Sequence, residues 1–360
     1  MKKVFGLFLS LIALMGLSAC EPETPGNPQK PDPEDVPEEP SYLTLVSSGE
    51  STITLHSYGG PFFSVEMSLE YSFDGVVWKH YTNWETIKMA DGEELMFRAE
   101  EQGNDFSHSF LILGNVAAKG NVMSLLDRSC RKNAVPANAF FNLFCDCTGL
   151  TEAPELPATE LSEGCYTQMF KGCANLKKAP KLPAMELAKE CYFNMFEGCT
   201  SLTETPALPA TKLAEHCYWQ MFSYCMSLTE APKLPATELA EGCYAGMFGS
   251  CMFLTKAPEL PATKLAEGCY EGMFTTCTSL TEAPVLPAKK LAKNCYSSMF
   301  SDCENLNYVK ALFTDNPSRE TTYNWLWGVA RTGTFVKSKD ATWRNVMYCG
   351  IPNGWTVETE

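Results

Sequence analysis

The sequence predicts a curved α+β solenoid of 26-residue units behind a small β-sandwich, and three observations carry that prediction. Leu150, Leu176, Leu202, Leu228, Leu254, Leu280 and Leu306 recur every 26 residues without a slip. Cys147, Cys173, Cys199, Cys225, Cys251, Cys277 and Cys303 keep the same period. A second column, Cys165, Cys191, Cys217, Cys243, Cys269 and Cys295, has Tyr after every member and Met-Phe shortly beyond. A fixed period in the twenties means stacked units, each burying its apolar face only against its neighbours.

The chain divides into five segments. Residues 1–19 read as a secretory signal peptide, with Lys2 and Lys3 ahead of an apolar run, Val4 to Leu17, that is short for a membrane span. The run ends in Leu17-Ser18-Ala19-Cys20, which resembles a bacterial lipobox. That resemblance implies an acylated Cys20 as mature N-terminus, anchored by two or three acyl chains. Residues 20–40 hold the acylated Cys and a linker: from Glu21 to Pro40, seven of the twenty residues are Pro and seven are acidic. Such a segment buries too little apolar surface to fold, and in polyproline II it spans roughly 60 Å. Acidic residues just after the lipidated Cys also resemble surface-export signals of Bacteroidetes-type lipoproteins. The location expected from these features is the outer membrane, facing outward.

Residues 41–118 change to period two. Tyr42 to Val46 and Thr52 to Leu55 alternate apolar and polar residues, as half-buried strands do. Leu69 to Phe73 and Val76 to Tyr81 flank Asp74-Gly75, a tight-turn signal, so a hairpin is expected there. Two further strands, Glu94 to Ala99 and Phe110 to Leu113, complete a β-sandwich.

Residues 119–335 form the solenoid with its caps, and residues 336–360 a C-terminal capping segment. Within one unit, Leu150 to Ala153 is extended, and Pro154 and Pro157 force a bend. Leu161, Cys165, Met169 and Cys173 follow at a spacing of four, which suits a helix face, and a short helix is expected over 164–172. Gly164, Glu190, His216, Gly242, Gly268 and Asn294 would mark helix starts. Strands stack about 4.8 Å apart and helices about 8–10 Å, so the array should curve with strands inside. Val135, Phe140, Leu143, Phe144 and Cys147 match a degenerate first helix; Trp325, Leu326 and Val329 match a last one.

The run Met169 to Leu176 with the Leu-Pro that follows, repeated through the array, resembles the BspA-like leucine-rich repeats of bacterial surface proteins. The resemblance spans roughly residues 135–335, and Gly333 to Lys337 with Gly350 to Trp355 resembles the closing segment of that group. It implies adhesion to host matrix proteins or to other bacteria, and transfers no ligand-contacting residue. The 26-residue unit and the extra Cys-Tyr column depart from the commoner pattern.

Seventeen cysteines in an exported chain would ordinarily imply disulfides. On a helix, Cys165 and Cys173 would lie about 12 Å apart. Neighbouring coils at helix spacing would exceed the roughly 7 Å limit for a bridge. Buried free thiols are therefore expected, with Cys130 and Cys145, outside both columns, as the one pair to test. No metal or other cofactor is expected, since Cys-x-Cys occurs only at Cys145 and Cys147. The four His are scattered, no nucleophile or phosphate-loop motif occurs, and an enzyme is not expected. A net charge of −15 argues against nucleic acid as a partner.

Repeats are their own comparison set: positions that vary between copies are not dictated by packing. Phe193, Trp219, Tyr224, Met226, Met252 and Phe253 stand where other units hold mostly Thr, Gly, Ala, Asn or Ser, and they form the candidate ligand surface. The strand-flanking charges Lys178, Glu204, Glu230 and Lys256 are second candidates, expected on the concave side. The partner is a protein in the leading reading and a glycan in the other; the remaining reading is a spacer that presents the β-domain. The membrane is touched only through the lipid.

The anchor has a direct test: Cys20→Ser should release the protein from the membrane fraction or block its maturation. A Cys20→Ser chain that is processed and stays membrane-bound would exclude the lipoprotein reading.

Overall fold

The computed structural model describes residues 41–57, 68–100, 108–343 and 347–360; the signal peptide, Cys20 and the linker lie outside the described residues. Six strands precede the repeats: β1 (Leu43–Ser57), β2 (Leu69–Ser72), β3 (Lys79–His80), β4 (Thr86–Met89), β5 (Glu94–Ala99) and β6 (His108–Lys119). They run in the order β3-β2-β5-β1-β6, with β4 also paired to β1, and all their pairings are antiparallel. Alternation along β1 buries Leu43, Leu45, Ile53 and Leu55 completely. These strands belong to one sheet, and the second packed sheet expected of a sandwich is not found among the described residues. The hairpin forms, but Tyr71 pairs with Lys79 across a loop longer than two residues. Asp74 holds that loop by accepting from the backbone N–H groups of Val76 and Val77.

The sheet does not stop at the first repeat. After β7 (Ala134–Val135), β8 (Leu150–Glu152) joins the edge of β6 in parallel. The Phe110 ring of β6 stacks on Phe144 at 5.0 Å. The β-domain thereby covers the N-terminal end of the array with its own edge strand, which answers the exposed-edge problem. β9 (Glu160–Leu161) pairs with β7 in parallel, one coil against the next.

No α-helix forms among the described residues, and the helix expected over 164–172 is replaced by a ribbon of consecutive turns. Its corners carry positive φ every four residues: Gly164 at 62°, Gln168 at 56° and Gly172 at 73°. Alternate N–H groups close turns within the coil, as Thr167 to Gly164 (3.0 Å) and Met169 to Tyr166 (3.2 Å) do. The N–H groups between them cross to the next coil: Tyr166 to Cys191 (3.0 Å), Gln168 to Phe193 (2.8 Å), Phe170 to Met195 (2.9 Å). Backbone donors are thus satisfied without a helix. A ribbon that turns every four residues places Cys165, Met169 and Cys173 inward as well as a helix would, so the apolar spacing does not tell the two apart.

The expected curvature loses its cause with the helices. From Phe144 to Phe300 the phenylalanines of successive coils stack 5.5–5.8 Å apart with interplanar angles of 2–9°. The tyrosines from Tyr166 to Tyr296 form a second ladder at 5.7–6.1 Å. The turn side is therefore not held at the 8–10 Å of packed helices. On the opposite side, coils meet through single parallel bridges such as Lys178 with Glu204 and Glu230 with Lys256.

The same spacing removes the distance argument against disulfides, yet the thiols are free and have another role. In the first column each S–H donates to a Phe carbonyl of the preceding coil: Cys173 to Phe144 (3.0 Å), Cys199 to Phe170 (3.1 Å), Cys225 to Phe196 (3.2 Å). Burial pushes the thiols of Cys165, Cys217 and Cys251 up to about 12. Cys130 and Cys145 are also free, their S–H groups near Ser41 O and Asp146 Oδ2 respectively.

Both ends are capped. Phe140, Leu143 and Phe144 enter the ribbon as predicted, though as turns, and the Phe140 N–H bonds Cys165. At the other end β10 (Tyr308–Ala311), β11 (Thr334–Lys337) and β12 (Thr356–Thr359) make a parallel three-stranded sheet. Fully buried Trp325 continues the tyrosine ladder, and its indole N–H donates to Gly350 O at 2.9 Å.

Two outcomes follow from this packing. Native repeat cysteines should resist alkylation, and after denaturation without reductant all should alkylate; mass spectra showing the columns joined in disulfides would contradict this. His108, buried on β6, has its pKa pushed from 6.5 down to about 4 by desolvation, with His56 acting in the same sense. The unfolded chain takes up the proton at the ordinary value. The stability is therefore full above pH 6.5 and is lost, by up to about 3 kcal/mol, as pH falls toward 4. His108→Gln should flatten that part of a melting-temperature profile; an unchanged profile would refute it.

Candidate functional site

The ribbon's corners decide which side chains face outward. Two positions after the second cysteine column the successive coils hold Thr167, Phe193, Trp219, Ala245, Glu271 and Ser297. Phe193 and Trp219 are half-buried and stack on each other at 6.0 Å with 25° between planes. Their backbones are fixed by inter-coil bonds, Gln168 N to Phe193 O and Asn194 N to Trp219 O, both 2.8 Å. The edge of His216 meets the Trp219 ring at 4.5 Å. Gly242 on the following coil makes room for both, since a Cβ there would lie 2.2 Å from His216 Cδ2 and 3.3 Å from Trp219 Cε3.

The remaining apolar candidates cluster around the other cysteine column. Tyr224 is 50% exposed and occupies a corner at φ 60°, where other coils place Gly, Ser, Thr or Asp. Phe253 is 58% exposed, and Met226 and Met252 are half-buried. Among the described residues, Phe193 and Trp219 are the members of the candidate surface joined by a ring stack.

Lys178, Glu204, Glu230 and Lys256 are all exposed beside the strand bridges. Lys178 pairs with Glu204 at 2.9 Å across adjacent coils. Lys171 with Glu197 and Lys189 with Glu215 repeat the device, each at 2.9 Å. Of the four, Lys178 and Glu204 are thus partnered within the solenoid, although exposed pairs contribute only about 0–1 kcal/mol each.

Three features lie outside the site residues expected from the sequence. A cleft of about 1220 Å³ lies between the sheet and the first coils, lined by Ser48, Asn115, Glu152, Glu155, Lys177, Lys178 and Lys181 among others. At the C-terminal cap, Trp327 and Tyr348 approach to 5.6 Å beside a pocket of about 710 Å³ that includes Arg331, Met347 and Asn353. Trp327 was legible in principle, because its column reads Lys171, Glu197, Ser223, Gly249, Thr275 and Ser301 before it. The third is a group of possible metal ligands, Glu190, Glu215 and His216, whose ligand atoms all lie within 4.8 Å of one another. His216 is thus not isolated, as its scatter in the sequence suggested.

No protein-family model matches the chain, and no curated protein is similar to it in sequence. Among solved structures, it is similar to a leucine-rich repeat protein from Bacteroides ovatus, at 17% identity. That likeness covers 67% of this chain and 78% of the other, with a TM-score of 0.27. A superposition so loose leaves the fold resting on the column register and the inter-coil bonds.

Proposed function

We propose that this chain is a lipid-anchored binding protein of the outer membrane, held outside the cell by acylated Cys20, whose solenoid engages a host or bacterial protein. It is a scaffold without catalysis in this reading. The BspA-like resemblance of the repeats supports adhesion as the purpose. One observation carries the choice of surface. Exposed or half-exposed apolar side chains gather on the central coils, where packing is already complete and other units place small or polar residues. Large apolar side chains exposed together commonly mark binding faces.

Glycan capture is the second reading, favoured by the Trp327–Tyr348 pair. Flat exposed rings stack on the apolar faces of sugars, and Arg331 and Asn353 supply hydrogen-bonding groups in the same pocket. A glycan array run beside a matrix-protein panel separates the two.

Trp219→Ala with Phe253→Ala should weaken binding to a protein partner by more than about tenfold. Its melting temperature should fall slightly, by the loss of a stacked pair worth about 0.5–1.5 kcal/mol. Phe222→Ala, in the centre of the phenylalanine ladder, should instead cost about 3–5 kcal/mol of stability. A double variant that binds the partner normally would move the interface away from these coils.

A further inference from the structure

We propose that Glu190, Glu215 and His216 form a divalent-metal site on the central turn ribbon, with two carboxylates and one imidazole as donors and Zn²⁺ as the best-suited ion.

Position, separation and charge bring these residues together. The first is position. Glu190 and His216 occupy one corner position in adjacent coils, at φ 54° and 52°, so their side chains leave the ribbon at the same place one coil apart. The same corner is Gly164, Gly242, Gly268 and Asn294 elsewhere, none of them a carboxylate or an imidazole.

The second feature is separation. His216 Nδ1 lies 3.5 Å from Glu215 Oε1, too long for a good hydrogen bond. A tetrahedral ion with bonds of about 2.0–2.1 Å places its ligands about 3.4 Å apart. Small rotations of Glu190 complete the set, since all three ligand atoms already fall within 4.8 Å. The imidazole is already oriented for an ion. Its Nε2 edge lies over Gly242, where a Cβ would come within 2.7 Å, and Nδ1 is left on the side of the carboxylates.

The third is charge. The Lys189 ammonium bonds Glu215 at 2.9 Å and lies 3.9 Å from Glu190 Oε1, so the carboxylates already attract a cation. A dication competes with it at modest cost, because exposed pairs are weak. Imidazole with carboxylates suits zinc better than calcium or magnesium. Three protein ligands would leave one coordination position of a tetrahedral ion for water or another donor. The site goes beyond the partner-binding reading, and its test does not depend on that reading.

The test is a calorimetric titration of the detergent-solubilised full chain with ZnCl₂. One Zn²⁺ per chain should bind, and zinc should raise the melting temperature. His216→Asn and Glu190→Gly replace each ligand by a residue used at the same corner in other coils, so both variants should fold. Each should weaken zinc binding by at least about tenfold. Lys189→Gln should tighten it by removing the competing ammonium. No zinc binding at millimolar metal would overturn the proposal. So would equal affinity in the unaltered chain, His216→Asn and Glu190→Gly, the result expected of zinc held by thiols.

Discussion

The backbone hydrogen bonds that pass from each turn ribbon to the next hold this solenoid together. A ribbon of turns can satisfy only half its N–H groups internally, through bonds such as Met169 to Tyr166. The other half, such as Phe170 to Met195, need a neighbouring coil at the right height and phase. A single coil would leave those donors unpaired as it buried its apolar face, so a coil is stable only within a stack. The aromatic ladders follow from this constraint. Once backbones are fixed at that separation, identical Phe and Tyr side chains at identical positions come face to face.

The cysteines also take their meaning from it. A carbonyl such as that of Phe170 accepts from the Cys173 N–H of its own coil and from the Cys199 thiol of the following one. A small side chain with a weak donor fits that narrow space, where a bulkier residue would force the coils apart. The two ends need different solutions. The N-terminal end is closed by the edge of an antiparallel sheet that shares the Phe110–Phe144 stack, and the C-terminal end by large indoles such as Trp325.

Much of this was legible in the sequence. The strict period announced a stack, and the Leu, Cys, Tyr and Met-Phe columns are its core, including the degenerate terminal units. The local conformation was not legible from the core columns, because a spacing of four serves a turn ribbon and an α-helix alike. The distinguishing signal lay in the columns between: Asn194, Gly246, Gly272 and Ser298 are poor choices for helix interiors, although Gln168 and Gln220 of the same column are not. Gly and Asn among them are residues that left-handed corners favour. Strand content alone predicts a β-sandwich, and it does not reveal that all six strands ahead of the repeats join one sheet. Comparing repeats picks out residues that packing does not dictate, but only the stacked coils show that Phe193 and Trp219 lie ring against ring. The grouping of Glu190, Glu215 and His216 was hidden because Glu190 and His216 meet only when consecutive coils are superposed.

The uniformity of the inter-coil bonds bears on how such a chain can change over generations. Each central coil presents the same donors above and the same acceptors below, so its neighbours are interchangeable. Gain or loss of one 26-residue unit would add or remove a whole coil and leave every remaining donor matched. A gain or loss of any other length would shift the ribbon out of phase with the coil beneath it. The molecule can thus vary its reach, and the number of outward-facing variable positions, in steps of one coil.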